Sequence, residues 1–116
     1  MSNVAKLINR RIPAGHERIV DGVKHPDGRD AGYYTLVRHR QTAIYSLLCV
    51  DGLRSCPQDW ARRQAIIAWR EQLAMTQEGL ADGLGLTRVT VGQYERGDRP
   101  IPSTVDRAVH DLVANR

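Results

Sequence analysis

The 116-residue chain predicts an α+β fold in which a small N-terminal β-containing unit, a hairpin or meander, precedes an all-α helical bundle. Three observations carry this expectation. Residues 18–38 are rich in Val, Ile, Tyr and Thr around the turn signal Pro26-Asp27-Gly28. Residues 75–97 change to helical spacing punctuated by single glycines. Between them, Ser55 and Pro57 head a longer stretch with its own apolar pattern. The expected units are residues 1–54 and 55–116.

Each element has its local reason. Asn3 caps a short helix with Val4, Leu7 and Ile8 on one face and Lys6, Arg10 and Arg11 outside, and residues 13–15 end it. Strands are expected over residues 18–24 and 32–38, although alternation through Tyr34, Leu36 and Arg38 is imperfect. Residues 42–50 fit both patterns: Ile44, Leu47 and Leu48 suit a helix, whereas Ala43, Tyr45, Leu47 and Cys49 suit one strand face, and the balance tips slightly to strand. Asp51-Gly52 closes the segment. Ser55 and Gln58 have capping-box spacing, Pro57 suits a first turn, and Trp60, Ile67 and Leu73, with Gln64 and Arg70 between them, carry a helix to about Ala74.

The bundle follows. Thr76 caps a helix whose inner positions are Leu80, Ala81 and Leu84, and Gly85 sits where it must stop. Leu86 packs into the junction, Thr87 caps the next helix, and Val91 and Tyr94 form its inner face. Gly97, Pro100 and Pro102 prevent its continuation. Ser103 with Asp106 caps a final helix with an apolar stripe of Val105, Ala108, Val109, Leu112 and Val113, for the core or a dimer contact, and His110 is expected at the surface. Gly79, Gly83 and Gly92 fall inside helices, where each costs roughly 1 kcal/mol relative to alanine. For Gly92 two readings stay open: close helix packing, or close approach to a ligand.

With Val91 and Tyr94 inward, helical spacing turns Arg88, Val89, Thr90 and Gln93 outward or toward the N-terminal end of their helix. Arginine can grip O6 and N7 of guanine, glutamine can pair with N6 and N7 of adenine, and the Val89 or Thr90 methyls can touch a thymine methyl. Gln77, beside free backbone N–H groups at a helix start, suits a phosphate oxygen. Thr76, Thr87 and Arg99 join it as expected phosphate contacts.

Several of these pieces recur together. Arg70 seven residues before Gln77, Thr76-Gln77, Leu80-Ala81, Leu84-Gly85, Val91 and Tyr94-Glu95-Arg96-Gly97 make residues of about 64–112 resemble the helix-turn-helix DNA-binding domain of the phage repressor and Cro, or XRE-type, family. The resemblance covers a little under half of the chain. It implies that Gln77 clamps a DNA phosphate, that Arg88, Val89 and Gln93 face bases, that Arg96 lies at the backbone, and that Arg70 and Glu95 form an ion pair. A carboxylate near a helix C-terminus is disfavoured by the dipole, so Glu95 needs a cationic partner on physical grounds too.

Composition bounds the rest. Hydrophobic residues make up 41% of the chain and phenylalanine is absent, so the core must come from Leu, Ile, Val and Ala. No apolar run has membrane-span length and residues 1–11 lack a signal-peptide core, so a cytoplasmic protein with no membrane partner is expected. The net charge of +4 is uneven: residues 1–54 hold nine Lys/Arg against five Asp/Glu, and 55–116 hold eight against eight. A basic chain favours phosphate contacts. Cys49 and Cys56, even with His16, His25 and His39, match no metal spacing, so no metal is expected. Asp27 and Asp30 sit in turn-like sequence. No nucleophile has an evident base and no phosphate loop is present, so neither an enzyme nor a cofactor is expected. The function expected is that of a sequence-specific, homodimeric DNA-binding repressor of a near-palindromic operator. The alternatives are an antitoxin-type protein, binding a partner through residues 1–54 while repressing its own operon, and a ligand sensor.

Overall fold

Strand-forming Val, Tyr, Leu and Thr side chains build an antiparallel meander of β1 (His16–Lys24), β2 (Tyr33–His39), β3 (Tyr45–Cys49) and β4 (Gly52–Ser55), in that spatial order. The computed structural model describes residues 11–28 and 32–115; the helix expected from Asn3 and the turn acid Asp30 lie outside them. Pro26-Asp27-Gly28 forms a turn after β1, where Asp27 Oδ1 lies 2.9 Å from His25 Nδ1. The pairs Arg18↔Val37, Val20↔Leu36 and Val23↔Tyr34 leave two irregularities in β1, which bend and twist it.

Residues 34–38 of β2 are buried in succession, which explains the imperfect alternation: this inner strand is covered on both faces. On one face Arg38, 3% exposed, donates from Nη1 to Glu17 Oε1 at 3.2 Å. On the other, Thr35 Oγ1 donates to Asp21 Oδ1 at 2.8 Å, and Asp21 Oδ2 accepts from Arg18 Nη1 at 3.1 Å.

Within residues 42–50 the strand runs only from Tyr45 to Cys49, preceded by Ala43 in left-handed backbone with φ 61°. Tyr45 and Leu47 are buried and Ile44 is exposed, as a strand requires and a helix does not. Asp51-Gly52 does not end the sheet. Val50 and Asp51 form a two-residue connection, and Gly52 opens β4 opposite Cys49. Ser55 pairs with Ser46 in the ladder and caps no helix. Helix α1 (Gln58–Gln72) starts three residues later, and the Pro57 carbonyl accepts the Ala61 N–H at 3.0 Å. The expected box partner, Gln58, is taken up by the sheet: Oε1 accepts the Tyr45 N–H at 2.8 Å, and Nε2 donates to the Tyr45 and Cys56 carbonyls at 2.9 and 3.1 Å.

The inner face of α1 also differs from expectation. Ala61, Ala65, Ile66 and Trp69 are buried, whereas Trp60, Ile67 and Leu73 are half-buried. Small alanines allow close backbone approach and leave little trace in a pattern built on large side chains. The helix ends in a Schellman arrangement, with Met75 N–H on the Arg70 carbonyl at 3.1 Å and Ala74 N–H on that of Glu71 at 3.0 Å. Ala74 takes the left-handed position with φ 55°, where its Cβ is strained. Ala74→Gly is therefore expected to stabilise the protein by about 0.5–1 kcal/mol in urea unfolding. A loss of stability would contradict this account of the joint.

The chain divides into two compact units between Ala61 and Arg62. In the second, α2 (Gln77–Leu84) packs on α3 (Arg88–Arg96) and on α4 (Ser103–Ala114) around buried Leu80, Ala81, Val91, Tyr94, Ile101 and Val109. Gly83 lies against α4: a Cβ there would stand 3.6 Å from Leu112 Cδ1. Three expectations for α4 need correction. Ser103 is already helical, and Pro102 precedes the helix with its carbonyl accepting from Val105 and Asp106, both at 3.1 Å, and no side-chain cap. Asp106 is buried and Ala108 exposed, because the inner face centres on Val109. His110 is not a plain surface side chain, as its ring meets Trp69 edge-on at 5.6 Å. Among the described residues, no helix is long and apolar enough to cross a membrane.

Candidate nucleic-acid interface

Local punctuation fixes the α2–α3 pair. Thr76 has extended backbone and its Oγ1 accepts the Gly79 N–H at 3.0 Å; Thr87 does the same for Thr90 at 3.2 Å. Gly85, with φ 69°, supplies the left-handed residue that lets the chain leave α2, with Leu86 N–H closing on the Ala81 carbonyl at 2.9 Å. Only Gly85, Leu86 and Thr87 separate the helices. Gly97, with φ 80°, ends α3 in the same way, with Asp98 N–H on the Gln93 carbonyl at 2.9 Å.

This geometry buries Val91, Gly92 and Tyr94 and turns the opposite side of α3 outward. Arg88 and Val89 are exposed, Val89 by 63%, at the free N-terminal end; Thr90 and Gln93 are half-buried on the same helix. The Arg88 side chain makes no hydrogen bond or ion pair with any described residue, so its guanidinium is available to an incoming acceptor. Thr90 is less freely presented, since its hydroxyl lies 3.0 Å from that of Thr87.

Among the remaining side chains, Arg70, Glu95 and Gln77 form a connected polar network. Arg70 grips Glu95 with two parallel bonds, Nε to Oε2 at 2.7 Å and Nη2 to Oε1 at 3.0 Å, and its Nη1 donates to the Met75 carbonyl at 3.1 Å. The hydrogen bond to Glu95 raises the Arg70 pKa above its ordinary value, against the opposing effect of burial, so the guanidinium stays charged. Gln77 Nε2 donates to the same Glu95 oxygen at 3.2 Å. Arg96 is exposed, with Nε on Asp98 Oδ2 at 2.9 Å. Arg99 lies over the Tyr94 ring at 6.0 Å.

Two features escape the sequence reading. Glu95 binds Gln77 as well as Arg70. Arg63 also reaches the end of α3, where its Nη1 donates to the Arg96 carbonyl at 3.4 Å and stands against Gly97. A cation at a helix C-terminus complements the dipole, and the seven-residue spacing from Arg63 to Arg70 on one helical face was the available signal.

The cysteines take no part. Cys49 Sγ donates to the Gly52 carbonyl and Cys56 Sγ to that of Tyr45. Burial pushes the Cys56 thiol up to about 11, so it stays protonated at neutral pH. Among the described residues, no group of three or more His, Cys, Asp or Glu could hold a metal ion.

Residues 66–106 match the family model described as Helix-turn-helix, a segment running from within α1 into α4. The match supports the XRE-type resemblance over that segment and, with it, a DNA-binding transcription regulator. Neither a curated protein nor a solved structure matches the chain.

Proposed function

We propose that the chain is a sequence-specific DNA-binding repressor acting as a homodimer on a near-palindromic operator. The observation that carries this is the exposed N-terminal end of α3, where Arg88 and Val89 project from a helix anchored by buried Val91 and Tyr94. In helix-turn-helix docking, that end enters the major groove. Arg88, Val89, Thr90 and Gln93 then read base edges, and Gln77, Arg96, Arg99 and the hydroxyls of Thr76 and Thr87 face phosphates. The N-terminal sheet unit is the dimerisation or partner-binding module, since the reading helices have their own core without it.

Selection of bound duplexes from a random pool, with wild type and Arg88→Ala in parallel, tests the reading. Wild type is expected to enrich a palindrome, and Arg88→Ala or Gln93→Ala to lose about 1–3 kcal/mol on it with relaxed preference at defined positions. Gln77→Ala is expected to weaken all sequences alike. Equal losses for Arg88→Ala on the selected site and on random DNA would remove Arg88 from the bases. Absence of enrichment by wild type would remove the function itself.

A further inference from the structure

Gly92 is a buried glycine in the middle of a short helix, where helix propensity alone would favour alanine. Its surroundings give it a different meaning. A Cβ at this position would stand 3.0 Å from Arg96 Nη1 and 3.6 Å from Gln77 Oε1. Two polar heads from different helices, the first residue of α2 and the last of α3, therefore meet over a single α-carbon. Each is also tied to a separate carboxylate, Gln77 Nε2 to Glu95 and Arg96 Nε to Asp98. Those bonds use one amide hydrogen of Gln77 and the Nε hydrogen of Arg96. The second amide hydrogen and the Nη hydrogens are the donor set that a phosphodiester oxygen accepts.

We infer that Gly92 is a positioning residue for DNA phosphate binding: by lacking a side chain it leaves the Arg96 guanidinium room to lie beside the Gln77 carboxamide, so that the two form one clamp. The inference rests on the DNA-binding reading above and adds to it a reason for the glycine. The group a methyl would crowd is the end of one flexible side chain, Arg96 Nη1; Gln77 Oε1, at 3.6 Å, stays at ordinary contact distance. Gly92→Ala therefore pushes the Arg96 head away from Gln77 while the helices remain packed. A glycine kept only for close packing would behave otherwise, because its replacement would disturb the fold and leave the clamp no worse than the rest.

The test follows binding of the full chain to a labelled mixed-sequence duplex over a salt series, with thermal unfolding and the Gln77 side-chain amide resonance of the free protein recorded for each variant. Gly92→Ala is expected to keep the wild-type melting temperature or exceed it, to shift the Gln77 amide resonance, and to bind about fivefold more weakly with a salt slope lower by about 1. In a background already carrying Gln77→Ala and Arg96→Ala, adding Gly92→Ala is expected to change affinity no further. Undiminished binding by Gly92→Ala, or the same fivefold loss in that background, would overturn the inference. A wild type that binds no duplex would instead sink the DNA reading, and this inference with it.

Discussion

Arg70→Ala is expected to destabilise the protein by about 2–4 kcal/mol, because it strips the cationic partner from a carboxylate that is only 8% exposed. Glu95 lies one residue from the C-terminal end of α3, where the helix dipole already disfavours negative charge. The guanidinium meets it in a fork and also holds the Met75 carbonyl, next to the left-handed Ala74. The Arg70 side chain retains 21% exposure, which keeps the loss below the full range for buried pairs. Arg70→Lys keeps the charge but not the planar fork, so it is expected to recover less than half of the loss. Urea unfolding of Arg70→Ala, Glu95→Ala and the double variant provides the check: the double loss must fall well short of the sum of the singles. Additive losses would show that the two side chains act separately.

The second large effect is expected in the sheet unit. Arg38 is 3% exposed, with Glu17 at 3.2 Å on the neighbouring strand and exposed Arg40 sharing the same carboxylate at 3.7 Å. Glu17→Ala removes the negative charge from beside a buried guanidinium and is expected to lower stability by about 2–4 kcal/mol. Glu17→Gln retains an acceptor and is expected to lose less, by roughly half. Replacing exposed Arg40 with alanine, on the same carboxylate, is expected to stay within about 1 kcal/mol. Equal midpoints for Glu17→Ala and wild type in urea would show that the sheet does not depend on this pair.

These two ion pairs also mark where sequence reasoning works and where it fails. Residues 76–97 were legible because their signals are local: Thr76 and Thr87 each satisfy an N–H three residues on, and Gly85 and Gly97 each take a left-handed backbone. The Arg70–Glu95 contact was legible only through resemblance, as 25 residues separate its partners. Long-range pairing hid the rest. Gly52-Leu53-Arg54-Ser55 holds one apolar residue, and nothing in it announces a strand until β3 is beside it. Ser55 and Gln58 had proper capping-box spacing, but Ser55 went to the β-ladder and Gln58 to the Tyr45 backbone. The Glu17–Arg38 pair likewise depends on the register of β1 against β2, which two irregularities shift.

If α3 reads bases as proposed, the left-handed glycines on either side of it, Gly85 and Gly97, also limit how much genetic text one copy can read. Nine residues at about 1.5 Å each span about 13.5 Å, or roughly four base-pair steps of about 3.4 Å. At two bits per base pair, perfect readout of four positions carries about eight bits, a match that recurs by chance about once in 256 base pairs. An address that common labels no particular promoter. Two copies reading symmetric half-sites double the bits and square the rarity, to about one in 65,000. Under the proposed function, Gly85 and Gly97, by keeping α3 short, would shift the task of finding one place in a genome from the length of a helix to the number of copies that meet on the duplex.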